Sequence, residues 1–134
     1  MPQFAFNIDD GLEKLLEQIS DGLLDEIAPK MLEAATPIVQ TEVRNRAPRS
    51  SLNHKHVVDN VAITKPKQTK DGAWIANVTV KGSRDGVRLM EVAAYNEYGT
   101  KNMSAQPFFR PAIAASERRV NDTMRKVFES EMSK

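Results

Sequence analysis

Ile8, Leu12, Leu15, Leu16, Ile19, Leu23, Leu24 and Ile27 recur mostly at steps of three and four, so they fall on one stripe of an α-helix with acidic residues opposite. Asp10 followed by Glu13 has the spacing of a capping box, with Asp in place of the usual Ser or Thr. Pro29 disfavours helical geometry at Ala28 and predicts an end or kink of the first helix there. A second helix is predicted through Met31, Leu32, Ala35, Ile38, Val39 and Val43, kinked at Pro37 and stopped by Ala47-Pro48.

The pattern then changes. Residues 49–56 are polar and without period, which predicts a loop. Residues 57–65 predict a strand with Val61 and Ile63 on one face, and Asp71-Gly72 signals a turn. In residues 73–81, Trp74, Ala76, Val78 and Val80 alternate with Ile75, Asn77 and Thr79, the period of a second strand. A turn at 82–86 leads to a predicted third strand over 87–98, where Leu89, Glu91, Ala93 and Tyr95 oppose Met90, Val92 and Ala94. Three successive strands with short turns predict an antiparallel meander. A last helix from residue 111 turns Ile113, Val120, Met124, Val127, Phe128 and Met132 toward the core. The order ααβββα reads as one α+β domain over residues 1–134: helices in 1–48, a loop at 49–56, antiparallel strands in 57–98, a connector at 99–110 and a helix over 111–134. The sheet is expected to have three strands or slightly more, with the C-terminal helix packed on it.

That connector has unusual residue types. Gly99 permits a turn that side chains with a Cβ resist. Pro107 and Pro111 fix φ and remove donors, stiffening the segment, and Pro111 suits the first turn of a helix. Phe108 and Phe109 lie between the prolines and can bury large apolar area as anchors. Glu97 and Arg110 bracket the segment and are placed to form a charge-assisted pair across it. Residues 97–112 therefore read as a clasp fastening the last helix onto the sheet.

The order Glu97-Tyr98-Gly99-Thr100, a polar spacer, and Gln106-Pro107-Phe108-Phe109-Arg110-Pro111-Ala112 before an amphipathic helix resembles a family of tail-component proteins of long-tailed double-stranded-DNA bacteriophages. The helix exit Arg46-Ala47-Pro48 is similar to that family too, whereas Arg49-Ser50-Ser51-Leu52 replaces its frequent Thr-Gly dipeptide. The resemblance implies a virion assembly protein of the tail-completion or head–tail joining type, acting by stoichiometric binding without cofactor. It implies a closed ring, six copies by analogy, that caps the tail tube and meets the head connector while genomic DNA passes through. Subunits monomeric in solution would fit this, and so would residence in the virion, with the host cytoplasm as the site of assembly. Loops 49–56 and 81–88, with Arg49, Lys55, Arg84 and Arg88, are the candidate contacts.

Charge adds a polarity that the net value of +1 conceals. Residues 1–33 hold eight acids and two bases, a net of −6, and the remainder holds seventeen bases and ten acids, a net of +7. Such asymmetry can steer subunits head to tail, although an acidic solvated helix face with its compensation elsewhere is the simpler account. The chain has no cysteine, which removes disulfide and thiolate chemistry and fits a reducing cytoplasm. Residues 1–7 lack the basic start and apolar core of a secretion signal, and no apolar run is long enough to span a bilayer.

Catalysis finds little support. There is no Gly-rich phosphate cradle and no pattern placing a serine beside a histidine and an acid. His54, His56 and Asp59 form a weak ligand set that reads as solvated loop residues. Glu91 and Glu97, six apart on a predicted strand, would lie about 20 Å apart, beyond the roughly 5–10 Å of a glycosidase pair. The alternative to assembly is nonspecific nucleic-acid binding through Arg44, Arg46, Lys65, Lys67, Lys70, Lys81 and neighbouring bases, which can meet phosphate without reading sequence. Aromatics are few for that role, and no recognition helix is visible.

Overall fold

A computed structural model describes residues 8–48 and 56–134. Its helices are α1 (Asp10–Glu17), α2 (Asp21–Arg46), α3 (Leu89–Tyr98) and α4 (Phe109–Met132). Between α2 and α3 lie a 3₁₀ turn (Val57–Asn60) and six short strands: β1 (Val61–Ile63), β2 (Lys67–Gln68), β3 (Trp74–Ile75), β4 (Val78–Val80), β5 (Ser83–Arg84) and β6 (Val87–Arg88). The class is α+β, as the sequence predicts.

The long helices pack antiparallel, held at two levels by the Lys30–Glu131 pair (3.0 Å) and by an Arg119–Glu42 pair. Ile27, Met31, Ala35, Val39 and Val43 of α2 and Phe109, Ala112, Val120, Met124 and Phe128 of α4 are buried in one shared core. Pro29 and Pro37 both lie inside α2, where neither ends the helix. An interior proline costs about 3 kcal/mol through the lost hydrogen bond and ring clash. Fully burying a large aliphatic side chain contributes roughly 1.5–3 kcal/mol, so Ile27, Met31, Val39 and Val43 outweigh the two prolines. Tertiary packing carries the helix past both.

The first helix breaks earlier than predicted, at Gln18–Ser20 rather than near Ala28. Ser20 adopts extended backbone and its hydroxyl accepts the Leu23 N–H at 3.2 Å, so a new helix starts there. Asp9, not Asp10, caps α1, its carboxylate accepting the Leu12 N–H at 2.8 Å. Asp9 also binds α4 twice: its N–H donates to Asn121 Oδ1 (3.0 Å), and its carboxylate pairs with Arg125 (2.9 Å).

The strands form three separate two-stranded antiparallel ladders, β1–β4, β2–β3 and β5–β6, in place of a continuous meander. In the first, Val61 pairs with Val80 and Ile63 with Val78. This ladder is fastened to α2 by Gln40 Nε2 and Arg44 Nη2, which both donate to the Val61 carbonyl (3.0 and 3.1 Å). The β2–β3 hairpin is fastened to the same helix at Asp25, whose carboxylate accepts from Gln68 Nε2 (3.1 Å) and Trp74 Nε1 (3.0 Å). Asp85 and Gly86, at φ 52° and 80°, make the mirror-type turn that closes β5–β6.

The predicted third strand is overturned. Only Val87–Arg88 is extended, and Leu89 onward is helix α3. Its buried residues, Leu89, Met90, Ala93 and Glu97, are spaced as one helical face. Apolar residues are so dense in this run that both periods can be read from it. Leu, Met, Glu and Ala favour helix, and that preference decides the outcome.

Candidate functional site

The connector that the sequence singles out joins two helices, α3 and α4, not a strand and a helix. Its centre is Glu97, in the last turn of α3 and only 1% exposed. A helix leaves its first N–H groups without partners inside the helix. In α4, which opens at Phe109, two residues before the predicted start, those groups are the N–H of Phe108, Phe109 and Arg110, since Pro111 has none. Glu97 accepts all three: Oε1 takes Phe108 (2.8 Å) and Phe109 (2.7 Å), and Oε2 takes Arg110 (3.3 Å). Ala112 N–H then bonds the Phe108 carbonyl at 3.0 Å, the first regular turn. One carboxylate thus completes the helix start, and Pro111 is tolerated at its third position because it brings no donor.

Arg110 completes the arrangement. Its Nε donates to Glu97 Oε2 at 2.7 Å and its Nη2 to the Glu97 carbonyl at 3.1 Å, the pair bracketing the clasp. Its guanidinium also lies 5.4 Å from the centroid of the Tyr98 ring. Burial alone would raise the Glu97 pKa. The Arg110 guanidinium and the three backbone N–H groups outweigh burial and hold it below its ordinary value of 4.5. Glu97 is therefore an ionised, fully engaged structural carboxylate.

Gly99 ends α3 at φ 76°, ψ 173°, and donates its N–H to the Tyr95 carbonyl at 2.8 Å. A Cβ there would stand 2.9 Å from both the Ala105 nitrogen and the Met103 oxygen, so the returning chain passes where only glycine leaves room. That chain forms a small turn in which Thr100 and Met103 exchange hydrogen bonds of 2.9 and 3.2 Å. The Thr100 hydroxyl accepts Asn102 N–H at 3.3 Å. Gln106 N–H reaches back to the Asn96 carbonyl at 2.6 Å. Lys101 to Pro107 are exposed, whereas Phe108 and Phe109 are buried with ring centroids 4.8 Å apart. The clasp is anchored at both ends and open between them.

The remaining candidates lie apart from it. Arg84 and Arg88 sit on the β5–β6 hairpin, and Arg88 pairs with Glu91 at 2.9 Å. Arg49, Lys55 and His54 lie outside the described residues. His56 is half-buried at the head of the 3₁₀ turn, and among the described residues no group of three or more His, Cys, Asp or Glu side chains is placed to hold a metal. Glu91 and Glu97 are on one helix, the first tied to Arg88 and the second closed off by the four bonds to its carboxylate. The capping role of Glu97 was not legible from spacing, because the carboxylate and its donors are more than ten residues apart. The acid directly before Tyr98-Gly99 was the available signal. Among the described residues, no helix is long and apolar enough to cross a membrane.

Comparison with known proteins bears on this arrangement. The family model described as "Bacteriophage HK97-gp10, putative tail-component" matches residues 10–99, about two thirds of the chain. The match covers α1 to α3 and ends at Gly99, so it stands independently of the 106–112 motif. No curated protein and no solved structure matches the chain.

Proposed function

The chain belongs to the HK97-gp10-like family of bacteriophage tail components, and on that premise we propose that it is a virion assembly protein of the tail-completion or head–tail joining type. It acts by stoichiometric binding and not by catalysis. Copies join head to tail into a closed ring that caps the tail tube and meets the head connector. A heterologous interface closes into such a ring when its rotation divides the circle. The observation that carries this reading is the family match over residues 10–99. The clasp is in keeping with it: the most heavily bonded acid described here spends its chemistry on fastening a helix.

Electron microscopy of particles made with the gene disabled tests the role. Filled heads beside tails of irregular length indicate a tail terminator, and unattached tails of normal length indicate a joining protein. Intact, normally joined virions overturn both. A second reading, nonspecific DNA binding, is favoured by Lys65, Lys67 and Lys70, exposed on and beside the β2–β3 hairpin. Duplex affinity that falls steeply with salt would support it.

A further inference from the structure

One stripe of α4 is covered along half its length and open along the other half. Arg110, Ala114, Glu117, Asn121, Met124 and Phe128 follow steps of four and three, so they share one helical face. Asn121, Met124 and Phe128 are buried, whereas Glu117 is half-buried and Ala114 and Arg110 are exposed. The change falls where the chain enters. Asp9 is bonded to Asn121 and Arg125, and Leu12 of α1 belongs to the same buried core as Met124 and Phe128. The open half leads from Asn121 up to Arg110, whose guanidinium lies over the Tyr98 ring. Tyr98, at 53%, is the most exposed large apolar side chain among the described residues.

The chain arrives along this stripe. The Lys30–Glu131 pair of the antiparallel helices places the start of α2 beyond the end of α4. Helix α1 leads from Asn121 to that start, so it runs in the direction of α4. The residues before Asp9 therefore point the opposite way, toward the clasp. Ile8, 42% exposed, is the first of them. Residues 1–7 lie outside the described residues, and their sequence sets Phe4 and Phe6 in step with Ile8. Alternate residues of an extended chain share a face, and at about 3.3 Å per residue Phe6 and Phe4 would stand roughly 10 and 16 Å from Asp9. At about 1.5 Å per residue, Ala114 and Arg110 stand roughly 10 and 16 Å from Asn121 along the helix. The two spacings match.

We propose that residues 4–8 dock in extended form along the open half of this stripe, on their own chain. Phe6 lies over Ala114, which is small enough to admit a ring, and Phe4 lies against Arg110 and Tyr98, where aromatic contact is favourable. The occupant of the clasp face is thus a segment of the same molecule. The contact does not depend on the assembly role.

The absence of cysteine makes introduced thiols unique reporters. The purified full chain carrying Ala5→Cys/Ala114→Cys is treated at low concentration with a short bismaleimide. The reference is Ala5→Cys/Glu129→Cys, whose second thiol lies about as far from Asn121 in the opposite direction along α4. Ala114 and Glu129 are both exposed, and urea unfolding checks that each variant keeps its fold. Docking raises the effective concentration of one thiol at the other, so the intrachain bridge should form about tenfold faster in the first pair. Adding Phe4→Ser/Phe6→Ser should remove that advantage. Equal rates in the two pairs would mean random collision of a tethered segment and overturn the proposal. Dimers in place of the intrachain bridge would assign the segment to a second copy and overturn it too. So would an advantage that survives both serine substitutions. A thiol-free measurement reads the same contact: nitration of Tyr98, mapped by mass spectrometry, should be slower in the unmodified chain than in Phe4→Ser/Phe6→Ser. An unchanged rate overturns the docking.

Discussion

Helices α2 and α4 are of similar length and pack against each other, yet they begin in opposite ways. The start of α2 is local: the Ser20 hydroxyl accepts an N–H three residues ahead. The start of α4 is supplied by another helix, with Glu97 accepting every N–H that α4 offers at its first turn. A local cap stabilises one helix and leaves the rest of the fold indifferent. A cap delivered from α3 makes the beginning of α4, the end of α3 and the burial of Phe108 and Phe109 depend on one another. The first kind of start can fray alone, and the second fails together with its surroundings.

Substitutions at the two starts should therefore differ sharply. Glu97→Ala leaves the N–H groups at the start of α4 unsatisfied, those of Phe108 and Phe109 in the core, so a loss of roughly 2–5 kcal/mol in chemical denaturation is expected. A loss no larger than that of Ser20→Ala would erase the distinction. Gly99→Ala comes next. The αL-side backbone, in a region populated almost only by glycine, costs roughly 1–3 kcal/mol, and the contacts with Ala105 and Met103 add to it. Gly22→Ala, with nothing within 4 Å of the new Cβ, is the control and should be neutral or slightly stabilising.

Glu97→Gln keeps the shape and removes the charge, and is expected to cost about 1–3 kcal/mol at neutral pH. Because the folded pKa of Glu97 lies below 4.5, its contribution is full above that pH and is lost as the pH falls through the lowered folded value. The stability gap between wild type and Glu97→Gln, followed by urea unfolding from pH 7 downward, should hold until about pH 4.5 and then close. A gap that widens in acid would contradict an ionised cap. Ser20→Ala brings the smallest loss, about 1 kcal/mol, and amide hydrogen exchange should show fraying confined to the first turn of α2.

Much of this fold can be read along the chain. The apolar stripe of residues 8–27, the stop at Arg46-Ala47-Pro48, both Asp-Gly turns and the amphipathic last helix follow from local chemistry. The pairing of Glu97 with Arg110 could be suspected from charge and position. What was not legible required partners distant in sequence. The stripe runs unbroken across Gln18–Ser20 because it reports which side faces the core, not where the helix is interrupted. Pro29 and Pro37 signal breaks that the contact with α4 overrides. Residues 89–98 carry apolar groups at both helical and strand spacings, so periodicity could not separate the two. The three N–H groups that define the role of Glu97 lie on a helix whose first residue depends on Glu97 itself.

The bonds from Glu97 to residues 108–110 also act as a stitch across the mouth of the intervening loop. With its two ends tied, lengthening the exposed stretch near Lys101 and Asn102 adds little closure entropy, since that cost grows only logarithmically with length. The stretch is thus a graft site: it can be rewritten, extended or tagged while the domain beneath it folds as before. In this chain, the sequence at the tip of the clasp can change without renegotiating the architecture beneath it.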